Sequence, residues 1–355
     1  MKLDNQNLYK KLDTGKVAES IELLADQIRD VLEVAHLIKI PSQYGKINKV
    51  VISGMGGSNL GARIIDSVFS DTVKVPILIT AGYEVPEMVD ENTLFVLSSY
   101  SGTTEEPLSA YKKAKKKGAK IIAITSGGNL QKLMMKDDIP GLIFKPQFNP
   151  SGQPRLALGY SIFGMTVLLA KAGLFVIHPD DVRKIIDFLE LNDRLYRPNK
   201  EQKDNPAKEI ASKLQHKLPI LVGAEFLAGN LHTLRNQFCE TSKNFCSYLV
   251  LPDLNHYAME GLAFPKSNPK NLIFIFIDSD LYDKRIQKRS ELTKKVINDN
   301  KIETLSIRLK SKTKLGQAFE LLQLGTWITY YLGIINEVDP VKVPFVDWFK
   351  NELKK

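Results

Sequence analysis

Two short segments carry the side chains best suited to chemistry. The first, Gly54-Met55-Gly56-Gly57-Ser58-Asn59-Leu60-Gly61, follows the apolar run Val50-Val51-Ile52-Ser53 and opens a stretch of helical spacing. Such a turn lets backbone N–H groups approach an anion at a helix N-terminus. The second, Ser98-Ser99-Tyr100-Ser101-Gly102-Thr103-Thr104-Glu105-Glu106, holds the same position after the run Thr93 to Ser98. Hydroxyls of Ser99, Ser101 and Thr104 can converge on one anion while the next helix adds N–H donors. One N-cap needs one hydroxyl, so the surplus points to a ligand. Together the two segments predict a phosphate cradle built from neutral donors.

Other anion-binding devices fit less well. A dinucleotide fingerprint needs G-x-G-x-x-G, but Asn59 occupies the third glycine position. It also wants an acidic residue near the end of the second strand, and Ile79-Thr80-Ala81-Gly82 offers none before Glu84. No Gly-Lys-Ser/Thr follows the turn, so the Walker pattern fails. The histidines, His36, His178, His216, His232 and His256, show neither H-x-x-x-H nor H-x-H spacing. With only Cys239 and Cys246 besides, no zinc site is expected. The two cysteines read as buried thiols, and His36, among apolar neighbours, as a core or helix residue.

The elements that position these residues alternate. Apolar runs at Val50 to Ser53, Val75 to Thr80, Thr93 to Ser98, Ile121 to Ile124 and Leu142 to Phe144 read as strands. They are continuous rather than alternating, which implies a parallel sheet covered on both faces. Helical stretches follow from Leu156 to Leu174 and from Asp181 to Tyr196. The polar, proline-flanked segment Arg197 to Pro206 reads as a linker. The pattern then restarts with runs at Leu218 to Val222, Tyr248 to Leu251, Leu272 to Ile277 and Ile302 to Ile307. Leu227, Leu231, Leu234 and Phe238 mark one helical face, and long helices are expected over Asp283 to Asn298 and from Leu315 towards Leu332. The expected organisation is an α/β chain: a helical segment 1–45, a first unit 46–196, a second 207–337 and a tail 338–355.

Composition agrees with an enzyme-sized soluble chain. Its 355 residues are worth about two domains. No apolar run reaches the ~20 residues of a membrane span. The start, Met1-Lys2-Leu3-Asp4, lacks a signal-peptide pattern, and two cysteines fit a reducing compartment, so a cytoplasmic location is expected. Lys and Arg outnumber Asp and Glu by 49 to 40, a net charge of +9 that suits anionic ligands without choosing among them. The densest cluster, Lys112 to Lys117 before Gly118, reads as a helix C-terminus and not as a nucleic-acid patch.

Gly54 to Ser58 and Ser99 to Glu106 resemble the two hallmark loops of the sugar isomerase (SIS) domain, GMGGS and S-x-SG-x-T-E-E. The family's usual SGNT reads Ser101-Gly102-Thr103-Thr104 here; the altered position, Thr103, is not the one that meets phosphate. Further along, Gln153-Pro154-Arg155, Glu240, Leu254-Asn255-His256 and the tail from Val343-Pro344 to Lys350 resemble the bifunctional phosphoglucose/phosphomannose isomerases, tandem SIS proteins of archaea and bacteria. That resemblance implies two SIS domains, each a doubly wound parallel sheet flanked by helices. It implies aldose–ketose isomerisation of glucose 6-phosphate, and of mannose 6-phosphate, to fructose 6-phosphate without a cofactor. Position by position, Gly56, Gly57, Ser58, Ser99, Ser101 and Thr104 would hold the substrate. Glu240 would be the base, Arg155 would lie near C1 and C2, His256 would serve ring opening from a partner subunit, and Lys350 would assist from the tail.

The chemistry demands such a set. Moving a carbonyl between C1 and C2 takes a proton from one carbon and returns it to the next, which one carboxylate can do on one face of an enediol. A fixed guanidinium stabilises the enediolate oxygen. An imidazole suits ring opening near neutral pH. The alternative is a SIS-type sensor that binds a sugar phosphate without turnover. Such regulators usually add a helix-turn-helix DNA-binding domain, and the first 48 residues carry no dense basic recognition helix. An amidotransferase would need an N-terminal glutaminase with its catalytic Cys, and a metal-dependent isomerase would need a zinc cluster.

Overall fold

The apolar runs form strands, and every strand pair is parallel. The computed structural model describes residues 2–353 and 355. Strands β1 (Lys49–Gly54), β2 (Ile77–Thr80), β3 (Thr93–Ser99), β4 (Lys120–Thr125) and β5 (Gly141–Ile143) make one sheet in the order β2-β1-β3-β4-β5. Strands β6 (Leu218–Ala224), β7 (Ser247–Leu251), β8 (Leu272–Asp278) and β9 (Glu303–Arg308) make a second in the order β7-β6-β8-β9. In each sheet the first strand lies between the second and the third, so the halves repeat one winding, the second a strand shorter. This repetition has no counterpart in residue identity. β3 is buried along its whole length, as a run covered on both faces should be.

Helices α1 (Gln6–Leu12), α2 (Val17–Glu22) and α3 (Leu24–Ala35) precede the first sheet. Around it run α4 (Gly57–Val68), α5 (Glu105–Lys116), α6 (Gly128–Lys136), α7 (Leu158–Lys171) and α8 (Pro179–Tyr196). The second half adds α9 (Pro206–Lys213), α10 (Ala228–Thr241), α11 (Asn268–Asn271), α12 (Lys284–Asp299), α13 (Lys314–Ile335) and the tail helix α14 (Pro344–Glu352). The lysine cluster does end α5: Gly118 takes positive φ, and Lys113, Lys115 and Lys117 pair with Glu84, Asp137 and Glu87.

Helix α13 joins the halves. Every residue from Leu315 to Ile335 is buried. A helix buried on all sides belongs at the centre of a molecule. It packs on α9 and α10 of its own half and on α2, α4 and α8 of the other. One hydrophobic cluster therefore runs from Val50 in β1 to Ile275 in β8.

The expected linker is tied down. Asn205 caps α9 by accepting from the N–H groups of Ala207 and Lys208, and donates to the Tyr196 carbonyl. The Lys208 ammonium, fully buried, donates to the carbonyls of Leu3, Pro198 and Lys200. An ammonium can be buried at this cost only when its donors are satisfied. Helices α6 and α9 are additions to the sequence reading, the first hidden behind two glycines and the second starting at Pro206, the last residue of the polar segment.

Candidate active site

The two loops meet at the C-terminal ends of β1 and β3, neighbours whose register places Gly54 beside Ser98. Here the direction of winding reverses, and such points leave a crevice for ligands. Gly56 is the N-cap of α4 and Gly57 its first residue. A Cβ on Gly57 would lie 2.8 Å from Pro154 Cβ and 3.1 Å from the Arg155 nitrogen. Only glycine lets the turn rest against the segment that carries Arg155. Ser58 ties the loops together: its Oγ accepts from the Tyr100 N–H at 2.8 Å, and its carbonyl accepts from Ser98 Oγ at 2.8 Å.

The hydroxyls do not all point at one spot. Ser99, fully buried, donates to Thr104 Oγ1 at 2.8 Å and accepts from the Gly102 N–H at 3.1 Å. Ser101 Oγ instead stands 3.0 Å from Thr103 Oγ1, and both residues are exposed. So Ser99 braces the loop from behind by holding the half-buried Thr104, while Ser101 is exposed. Thr104 makes no side-chain capping bond to α5, so the N–H groups at that helix end stay available to an anion.

Arg155 and Glu240 come from opposite halves and meet. Arg155 lies in the short turn Pro154–Leu156 before α7, and Glu240 near the C-terminal end of α10. The guanidinium Nη1 stands 3.4 Å from Glu240 Oε2; Arg155 is 2% exposed and the glutamate side chain 33%. The rest of the fork is taken up. Nη1 donates to Gln153 Oε1 at 2.8 Å, Nε to Thr241 Oγ1 at 3.3 Å, and Nη2 to the carbonyls of Pro340 and Val341, each at 2.8 Å. Burial pulls the Arg155 pKa below its ordinary value, opposed by the charges of Glu240, Asp339 and Asp347. An arginine remains a cation through such a shift. Gln237, buried on α10, donates to the Arg155 carbonyl at 3.0 Å and closes the joint.

His256 and Lys350 are not part of this joint. His256 ends the short turn Asp253–His256 after β7; it is exposed, and among the described residues it makes no hydrogen bond to Arg155 or Glu240. Lys350 lies on α14, a helix with no buried residue, whose Phe345, Trp348 and Phe349 are 86%, 63% and 56% exposed. Three readings need correction or completion. Cys246 is buried but Cys239 is exposed, because it sits on the outer side of α10. His36 closes α3 and is exposed rather than part of the core. Thr241, Lys243 and the carbonyls of 339–341 belong to the site, although nothing in their residue types singled them out. Among the described residues no group of three His, Cys, Asp or Glu stands close enough to hold a metal ion. No helix among them is long and apolar enough to cross a membrane.

A glycine turn and a hydroxyl loop at adjacent ends of one parallel sheet, facing an arginine–carboxylate pair completed by a second sheet of the same winding, define a tandem SIS protein. Residues 44–132 match the SIS domain, and residues 203–353 match the bacterial phospho-glucose isomerase C-terminal SIS domain. The chain is 35% identical to a bifunctional phosphoglucose/phosphomannose isomerase of Caldicellulosiruptor bescii, over 94% of this chain and 98% of that one. It is 30% identical to the protein of the same name from Thermoplasma acidophilum, over 95% and 97%. The chain belongs to the bifunctional phosphoglucose/phosphomannose isomerase family. Its fold also matches the crystal structure of a hypothetical protein from Thermus thermophilus, with a TM-score of 0.75 at 15% identity, covering 99% of this chain and 93% of the other.

Proposed function

We propose that this protein interconverts glucose 6-phosphate and mannose 6-phosphate with fructose 6-phosphate. The observation that carries the reading is the contact of Arg155 with Glu240 across the two halves, beside a phosphate cradle whose Gly57 touches the arginine's own turn. The substrate phosphate lies on the N–H groups and hydroxyls of Gly56, Gly57, Ser58, Ser101 and Thr104, with Ser99 fixing Thr104. C1 and C2 then reach Glu240. Its carboxylate takes the proton from C2 of the aldose and returns it to C1, while the proton on O2 passes to O1. Arg155 stabilises the oxygen that carries negative charge in between. Its full set of bonds means that it need not reorganise during the step.

In this reading the active protein is a cytoplasmic homodimer, and His256 of a second copy opens the sugar ring. The exposure of His256 and the uncovered aromatic side of α14 support it. Lys350 assists from the same tail. The working units are 46–196 and 207–337, with 1–45 and 338–355 as helical additions.

The test is turnover of fructose 6-phosphate by the purified protein in excess chelator, with glucose 6-phosphate and mannose 6-phosphate measured as products. Both products should form. Binding without turnover would leave a sugar-phosphate sensor in place of the enzyme.

A further inference from the structure

Lys243 stands two residues beyond α10 with φ +52, a left-handed conformation that a lysine rarely adopts. The turn folds its side chain back over the helix end. The ammonium donates to the Glu240 carbonyl at 2.8 Å and to the Asp339 carbonyl at 2.6 Å. The next two carbonyls in the chain, Pro340 and Val341, are those held by Arg155 Nη2. Three consecutive backbone carbonyls therefore accept from two cations, and the same two cations flank Glu240. The Asp339 carboxylate shapes the turn by accepting from the Val341 N–H at 2.9 Å.

We propose that Lys243 is a positioning residue: it clasps the 339–341 turn to the backbone of Glu240 and thereby sets the carboxylate and Arg155 in their mutual place. This rests on the isomerase reading, in which Glu240 is the base. Lys243 itself touches backbone carbonyls, so its effect on the reaction passes through Glu240 and Arg155. Without the ammonium, the Glu240 and Asp339 carbonyls lose a charged donor, the turn loosens, and Arg155 loses the fixed acceptors that orient its fork.

The groups facing Lys243 are Arg155, from the turn before α7, Glu240 on α10, and Asp339 in the tail turn; Asp347 on α14 reaches Arg155. Desolvation pushes the Lys243 pKa down to about 8, and Arg155 pushes the same way against Asp339 and Glu240. The clasp is thus charged below about pH 8 and loses its charge above it.

The experiment is steady-state kinetics of Lys243→Met and Lys243→Arg in the full-length protein across pH 6 to 10, with Glu240→Gln alongside. Lys243→Met should lower kcat by ~10–100-fold, the scale of a misplaced catalytic group, while KM changes by less than ~3-fold. The wild type should lose kcat above about pH 8. Lys243→Arg, charged throughout, should recover most of kcat and lack that alkaline limb. Circular dichroism establishes that each variant is folded. An unchanged kcat in Lys243→Met, a loss confined to KM, or an alkaline limb that persists in Lys243→Arg would overturn the proposal. If Glu240→Gln remains active, the base assignment fails. If Glu240→Gln is dead and Lys243→Met is normal, only the clasp fails.

Discussion

Gly229 on α10 lies directly against the backbone of Arg63 on α4: a Cβ on Gly229 would come within 2.1 Å of the Arg63 carbonyl oxygen. The Gly229 N–H also donates to Ser67 Oγ at 2.9 Å. Helix α4 begins in the glycine turn proposed to hold phosphate, and α10 ends beside Glu240, the proposed base. Their crossing is therefore the ruler between the two ends of the site.

Lengthening that ruler should cost both stability and rate. Gly229→Ala forces two helix backbones apart, a strain of about 1–3 kcal/mol. It should lower the melting temperature and drop kcat/KM by ~10-fold or more, since the base moves relative to a phosphate held elsewhere. Thermal melts and kinetics below the melting range test this. An unshifted melt with full activity would mean that the crossing does not set the distance.

Arg155→Lys keeps the charge and removes the fork. The guanidinium serves acceptors on Gln153, Thr241, Glu240, Pro340 and Val341 at once, which an ammonium cannot do. We expect kcat to fall by ~10²–10³-fold, comparable to losing an oxyanion donor. A variant within a few-fold of wild type would show that the positive charge alone is what the reaction needs.

Glu240→Gln and His256→Ala should each be nearly inactive, the first by ~10²–10⁴-fold in kcat. If the active protein is the proposed homodimer with shared sites, the two variants mixed after co-refolding should regain about a quarter of wild-type activity, because half the dimers would be mixed and each would hold one intact site. The absence of any recovery would argue that each subunit completes its own site.

Acid sensitivity should trace in part to His232. Burial, with Arg63 and Arg235 adding to it, lowers its pKa to about 4. The ring contacts Tyr248 OH at 3.4 Å and Arg235 Nη2 at 3.2 Å. The unfolded chain binds a proton near pH 6.5 that the folded chain refuses, so stability is retained above that pH and declines as pH falls towards 4. The loss should reach roughly 1–3 kcal/mol. His232→Gln should flatten the fall of melting temperature between pH 6.5 and 4 relative to wild type. Parallel curves for the two proteins would acquit this residue.

Much of the sheet was legible because parallel strands covered on both faces leave unbroken apolar runs, as at Thr93 to Ser99. The glycine turn and the hydroxyl loop could be located in the sequence because their residues are local. The internal pairing of the hydroxyls could not, since Ser99 with Thr104 and Ser101 with Thr103 depend on the path of the loop. Resemblance named Arg155 and Glu240, but their contact spans 85 residues and needs the crossing of α4 and α10 to arise. The acceptors at Pro340 and Val341 were invisible for another reason: they are main-chain oxygens, and any residue type could supply them.

The central helix α13 is among the last segments of the chain to be made, yet older parts rest on it. Gln323 donates to the Leu189 carbonyl at 2.8 Å, and Tyr330 donates to Asp13 at 3.1 Å. During synthesis the surfaces of α2 and α8 that face it must wait, uncovered, until residue 335 has left the ribosome. Only one face of the first sheet is affected, since the other packs under α5 and α6 in a cluster of its own, from Val51 and Phe95 to Ala110 and Leu130.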